Sequence, residues 1–196
     1  MKRGGQMGFS LIELMITLAI LAILIVLGAP SYQQWIRNVH TRTAAESLQN
    51  GLRLARSEAA QRGANVRFEL TSATDPSWTV CVLGAATTCA TAETTSTSNN
   101  IQTFVAAGGA GKVTLNVATA VGSLSTQLTG GVPSTSGITF NAMGRPTAFG
   151  TTSLARIDAT SGQAGDRWLV TTISSGGMVR MCDPQLALAS DPQGCQ

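Results

Sequence analysis

Few residues in this chain of 196 have the types and spacing that could do chemistry. A single histidine, His40, would have to serve any imidazole-based triad or multi-histidine metal centre. The stretch from Gly108 to Val113 superficially resembles a phosphate loop. That loop needs a glycine where Ala106 stands and a Ser or Thr where Val113 stands, so a glycine turn is the better reading. Asp158, Asp166, Asp183 and Asp191 could do acid–base work only by clustering in space, and caps and turns explain them more simply. Cys81, Cys89, Cys182 and Cys195 are even in number and contain no C-x-x-C. In an oxidising compartment they read as two disulfides. Four cysteines allow three connectivities, and loop closure favours the local pairing of 81 with 89 and 182 with 195. They lack the ordered spacing of a zinc site. No catalytic residue, cofactor or metal is therefore expected.

One ionisable residue stands out by its surroundings. From Phe9 to Pro30 the chain is strongly apolar, with Ser10, Glu13 and Thr17 as its clearly polar side chains. Such a run, made helical, is long enough to cross ~30 Å of hydrocarbon. Lys2 and Arg3 precede it and favour a cytoplasmic N-terminus, which puts the chain beyond Pro30 outside the cytoplasm. A secretory signal would end in an Ala-x-Ala-like site, and Gly28-Ala29-Pro30 is a poor one. Neither a signal peptide nor a plain anchor explains Glu13, since a carboxylate inside an apolar span costs several kcal/mol and usually marks a function.

The composition fits a chain divided between membrane and exterior. Hydrophobic residues make up 43% and charged residues 12%, about half the usual ~25% for soluble domains. A net charge of +3 excludes a histone-like polycation and an acidic disordered tail. The 21 glycines have no three-residue period, which excludes collagen.

The elements that must position these residues can be read from periodicity. After Pro30, Tyr32, Trp35, Ile36, Val39, Ala44, Leu48, Leu52, Ala55 and Ala59 recur mostly at steps of three and four, an amphipathic helix. Its polar faces carry Arg37, Arg42, Arg53, Arg56 and Arg62 with Glu46 and Glu58. Gly63 is a natural C-terminal cap. A helix over 9–62 would be roughly 80 Å long, with a kink expected at Pro30. Beyond Gly63 the period changes to two. Strands are expected at 66–70, 78–82, 113–117, 138–141, 154–159, 168–173 and 178–182, with Ser174-Ser175-Gly176-Gly177 turning between the last two. The Thr/Ser/Ala-rich stretches 85–100 and 118–136 read as long surface loops. The fold class is α+β, a long N-terminal α-helix packed on a C-terminal antiparallel β-rich domain.

The N-terminal residues Gly8-Phe9-Ser10-Leu11-Ile12-Glu13-Leu14-Met15 resemble the class III signal of type IV prepilins and type II secretion pseudopilins. That resemblance implies a leader, 1–8, cut after Gly8 by a prepilin peptidase, with Phe9 as the N-methylated new terminus. It implies a helix over 9–62, whose 9–30 part lies in the membrane or filament core, and a periplasmic β-rich domain over 63–196. It also implies that Glu13 pairs with the α-amino group of Phe9 in a neighbouring subunit. Physics supplies the reason, because a carboxylate among packed apolar helices is costly unless paired, and the pairing sets axial register.

Further residues resemble the FimT/GspH subfamily of minor pilins and pseudopilins. They are Ala44-Ala45-Glu46-Ser47-Leu48, Leu52-Arg53-Leu54-Ala55-Arg56-Ser57-Glu58-Ala59, Phe140-Asn141-Ala142-Met143-Gly144-Arg145-Pro146 and Cys182-Asp183-Pro184. The resemblance implies a non-enzymatic minor type IV pilin of the inner membrane and then the pilus. Its partners would be major and other minor pilins or pseudopilins, met through the 9–62 helix. The alternatives are a type II secretion pseudopilin and a DNA-binding pilus subunit in natural transformation. FimT-like pilins of competent bacteria bind DNA through Gly-Arg-x-Arg near the C-terminus. The matching stretch here is Gly177-Met178-Val179-Arg180, where Met178 replaces the first Arg and leaves Arg180 as the candidate contact. From Gly63 onward six basic residues face seven acidic ones, a net charge of −1 with no overall basic footprint.

Overall fold

The computed structural model describes residues 10–84, 86–90, 99–133 and 136–195. By contacts the chain divides into two compact units, one ending at Ile36 and one beginning at Arg37.

The first unit is helical. Helix α1 spans Leu11–Arg62 and begins in this unit. The helix runs without a break through Pro30. Leu11, Ile12, Leu14, Met15, Ile16, Leu18, Ile20, Leu21, Ile23, Leu24, Ile25, Val26 and Leu27 are all more than half exposed. This is one helix long and apolar enough to cross a membrane. Tyr32 and Trp35 stack with ring centroids 6.0 Å apart and stay exposed.

In the second unit α1 continues with a buried face of Thr41, Ala44, Ala45, Leu48, Gly51, Leu52, Ala55 and Ala59. The apolar stripe read from Tyr32 onward therefore enters the domain core only from Thr41; Val39 is still 42% exposed. Small residues let the helix approach the sheet closely. A Cβ on Gly51 would stand 2.8 Å from the Phe68 ring and 2.9 Å from Trp78. Leu48 and Leu52 are fully buried, and burying such side chains stabilises by about 1.5–3 kcal/mol each. The helix ends as its sequence requires. Gly63 takes φ of +63°, and the Ala64 amide donates to the Ala59 carbonyl at 3.3 Å, the six-to-one bond of a Schellman cap.

Among the described residues eight strands succeed the helix, β1 Val66–Leu70, β2 Trp78–Val82, β3 Asn100–Phe104, β4 Thr114–Ala118, β5 Gly137–Phe140, β6 Arg156–Thr160, β7 Leu169–Ile173 and β8 Val179–Cys182. They form two antiparallel four-stranded sheets, ordered β3-β2-β1-β5 and β4-β6-β7-β8. The inner faces of both sheets and the buried face of α1 share one core, including Phe68, Trp78, Val80, Leu115, Ile138, Phe140, Ile157 and Ile173. Trp78 ties sheet to helix by donating from Nε1 to Ser47 Oγ at 3.0 Å. Strand β3 had no sequence signal. Its residues Asn-Ile-Gln-Thr-Phe are half-buried or exposed, as befits an edge strand. Of the stretch 85–100, residues 85 and 91–98 lie outside the described residues.

Both sheets carry a basic–acidic pair on the outer face of a strand, two residues apart. On β1, Arg67 Nε donates to Glu69 at 2.5 Å, and Cys89 of the Cys81–Cys89 loop also donates its amide to Glu69. On β6, Arg156 and Asp158 are 1% and 0% exposed. Arg156 donates from Nε and Nη2 to the Asp158 carboxylate at 2.7 and 2.8 Å. Its remaining donors reach the carbonyls of Val121, Ser123 and Thr126 at 3.1, 2.6 and 2.7 Å, so all the guanidinium donors are used. Asp158 also accepts from the Leu128 amide at 2.8 Å. Of the stretch 118–136, expected as a long surface loop, residues 134 and 135 lie outside the described residues, and the part from Val121 to Leu128 is fastened to this sheet by the buried ion pair.

Candidate functional site

The N-terminal motif is positioned by the start of α1. Ser10 stands at the N-cap and Glu13 at the third helical position. The Glu13 carboxylate accepts the Ser10 backbone N–H at 3.1 Å, which is the return bond of a capping box. Glu13 therefore has a local partner within its own chain, beside the intersubunit role expected for it. Gly8 and Phe9, the expected processing residues, lie outside the described residues.

The cysteines form two local disulfides. Cys81 is bonded to Cys89 with Cα atoms 5.6 Å apart, and Cys182 to Cys195 with Cα atoms 5.0 Å apart. The first bridge holds a small cluster with Leu83 on the outer face of the first sheet. The second closes the C-terminal loop against β8, where Asp183 and Gly194 form a parallel bridge.

The reading of the aspartates as caps and turns needs correction. Asp158, Asp166 and Asp183 are buried, and each pairs with an arginine: Arg156, Arg37 and Arg167. Arginine partners and burial, not turn chemistry alone, explain their presence. Turns account for the remainder: Asp183 also accepts the Gln185 amide, and Asp191 accepts the Gln193 amide, both at 2.8 Å. Arg37 binds Asp166 bidentately at 2.6 and 3.1 Å, and that hydrogen bond holds the Arg37 pKa above its ordinary value. Among the described residues, no group of three or more His, Cys, Asp or Glu could hold a metal ion.

Arg180 lies on β8, an edge strand, and is exposed. Its Nη2 donates to the Gly194 carbonyl at 3.0 Å, so it also fastens the C-terminal loop. Met178 beside it is 68% exposed.

Sequence reasoning missed that the stretches 52–59 and 140–146 converge. Arg56 of α1 donates from Nε to the Gly144 carbonyl at 3.2 Å, in the loop after β5. Gly177, in the turn between β7 and β8, packs on that same carbonyl. A Cβ at Gly177 would stand 2.2 Å from the Gly144 oxygen and 3.3 Å from Arg56 Nε, at a φ of +77°. Helix and both sheets meet at this point. Gly177→Ala should lower domain stability by about 1–3 kcal/mol through overpacking and a strained φ, read as a lower denaturation midpoint. An unchanged midpoint would contradict the packing described.

Two family models match the chain, one over most of the domain and one over the N-terminal motif. The model of the family described as Type II transport protein GspH matches residues 44–177, and that of the prokaryotic N-terminal methylation motif matches residues 5–29. The chain belongs to the GspH family of type IV prepilin-like minor pilins and pseudopilins. Among solved structures it is similar to the type IV minor pilin FimU of Pseudomonas aeruginosa strain PAO1. The identity is 18% over 79% of this chain and 99% of that one, with a TM-score of 0.47. The comparison with curated proteins finds no match.

Proposed function

We propose that this chain is a minor type IV pilin, a structural subunit without enzymatic activity. In this reading residues 1–8 are a leader removed after Gly8 by a prepilin peptidase, and Phe9 is N-methylated. Residues 9–62 form the assembly helix, with 9–30 in the inner membrane and then the filament core. Residues 63–196 form the β-rich domain, facing the periplasm. Major and other minor pilins dock through the helix, and the charge of Glu13 is met by a neighbouring Phe9 amino group. The observation that carries the reading is the division of labour along α1. Its apolar residues from Leu11 to Leu27 are exposed, while its residues from Thr41 to Ala59 build the domain core. An apolar helical surface of that length needs lipid or other helices to cover it.

The match to the GspH model favours a second reading, a pseudopilin of type II secretion. One experiment separates the two. Filaments are sheared from cells carrying an epitope-tagged chain, and a deletion strain is scored for surface pili and for exoprotein release. The minor-pilin reading expects tagged protein in the filament fraction and loss of piliation on deletion. Normal piliation with exoproteins retained in the periplasm would overturn it in favour of the pseudopilin.

A further inference from the structure

A cavity of about 340 Å³ opens in the domain beside the start of its helical part, and the pilin reading leaves it without a role. It is lined by Arg37 and His40 of α1, Lys112 and Val113 before β4, and Ser161 and Gln163 after β6. That volume is at the small end of ligand sites, which run from about 300 to 1,000 Å³. We propose that this cavity is an anion site that binds a phosphate group, with Lys112, Arg37 and His40 as its donors.

The donors are available. The Lys112 ammonium and the His40 ring have no hydrogen-bond or ion-pair partner among the described residues, although both line the same cavity. Arg37 spends two guanidinium N–H groups on Asp166 and keeps three, with its side chain 36% exposed. Asp166 itself does not line the cavity. It is buried against Arg37 and accepts the Ser161 hydroxyl at 2.6 Å, so its charge is already matched. The Arg37–Asp166 pair is neutral as a unit, and Lys112 gives the cavity a net positive charge. Guanidinium, ammonium and imidazole thus converge on one space from two chain segments. A phosphate offers several strong acceptor oxygens to such a set, and lysine binds it as a point charge.

The Gly108–Lys112 turn gains a purpose here. It is not a phosphate loop, but its short 3-10 form ends at Lys112 and places that side chain at the cavity. The ligand could be free phosphate or the phosphodiester of an anionic lipid. In sequence, Arg37 and His40 come soon after Tyr32 and Trp35, residue types that favour the membrane–water interface, where lipid phosphates lie.

The test uses the full chain in uncharged detergent micelles. His40 is the single histidine, so one imidazole signal in NMR reports the site. Inorganic phosphate is titrated at fixed pH and ionic strength, with chloride and acetate as controls. A saturable shift with phosphate is expected, weakened about tenfold by Lys112→Ala and by less than about threefold in Lys112→Arg, since one charge-assisted contact is lost in the first and kept in the second. Nanodiscs of phosphatidylglycerol and of phosphatidylcholine then identify the source. A shift confined to phosphatidylglycerol, reversed by Lys112→Ala, assigns the site to lipid. A response to inorganic phosphate without one to phosphatidylglycerol assigns it to the free ion. No saturable response to either ligand overturns the proposal. So does an equal response to chloride or acetate, or one that Lys112→Ala leaves unchanged. The phosphate titration does not depend on whether the chain assembles into filaments, so its failure is distinct from failure of the pilin reading.

Discussion

Asp158→Ala should cost the domain about 3–5 kcal/mol, a large fraction of the ~5–15 kcal/mol that holds a typical domain together. The reason is the state in which it leaves Arg156. That guanidinium is 1% exposed, and its Nε and one Nη2 donor rest on the Asp158 carboxylate. Removing the carboxylate strands a buried positive charge and leaves the Leu128 amide without its acceptor. Replacing both partners, as in Arg156→Met with Asp158→Leu, removes the unpaired charge but also strips the donors from the Val121, Ser123 and Thr126 carbonyls, so the 118–133 segment should be released in the double variant as well. The expected readouts are a lowered denaturation midpoint in the single variant and early proteolysis of the 118–136 stretch. A single variant within about 1 kcal/mol of the parent, or a double variant whose 118–133 segment resists proteolysis as the parent's does, would contradict this account of the pair.

Glu13→Leu should enter the membrane at least as well as the parent and yet be depleted from sheared filaments by at least about tenfold. Insertion does not suffer because a charge inside a spanning helix opposes it, and Glu13, in the first turn of α1, carries part of the cost of a charge at the centre. Assembly fails because a neighbour's amino group loses its counter-charge inside an apolar core. Glu13 also caps its own helix through the Ser10 amide, and this second role needs separating from the first. Glu13→Gln makes the separation, since its amide oxygen can still accept from Ser10 but carries no charge. Depletion of both variants places the effect in the charge. Normal incorporation of Glu13→Gln beside a depleted Glu13→Leu would place it in the helix cap and refute the ion-pair role. Normal incorporation of both would refute any assembly role for Glu13.

Much of this architecture was legible in the sequence because its signals are local. The apolar run with one carboxylate, the three-and-four spacing of Ala44, Leu48, Leu52, Ala55 and Ala59, and the Gly63 cap all depend on near neighbours. The alternation of Val66, Phe68 and Leu70 placed β1 to the residue, since one face of that strand is buried in the core and the other is more polar. Strand β3 left no alternation to read, because Ile101 and Phe104, which pack on the core, are three residues apart with exposed Gln102 and Thr103 between them, and the register shifts opposite Val80 and Cys81. The three arginine–aspartate pairs were illegible for a different reason. Arg37 and Asp166 are 129 positions apart, and only the fold brings them together. Arg156 and Asp158 are two positions apart, but their burial depends on the 118–136 stretch crossing above them. That stretch can keep the Thr/Ser composition of a solvated loop because backbone carbonyls and the Leu128 and Gly131 amides make most of the contacts that hold it. The cavity was hidden in the same way: His40 stood alone as the single histidine, Lys112 belonged to a glycine turn, and their convergence is tertiary.

The central claim is that this chain is a prepilin-like subunit whose apolar helix is kept for assembly rather than removed with a signal peptide. Intact-mass and N-terminal peptide mass spectrometry of the membrane fraction tests it most directly. The account expects a mature chain that begins at Phe9 with one N-methyl group, and an unprocessed full-length chain in a Gly8→Val variant. A mature chain beginning after Ala29, with the apolar segment lost, would contradict it.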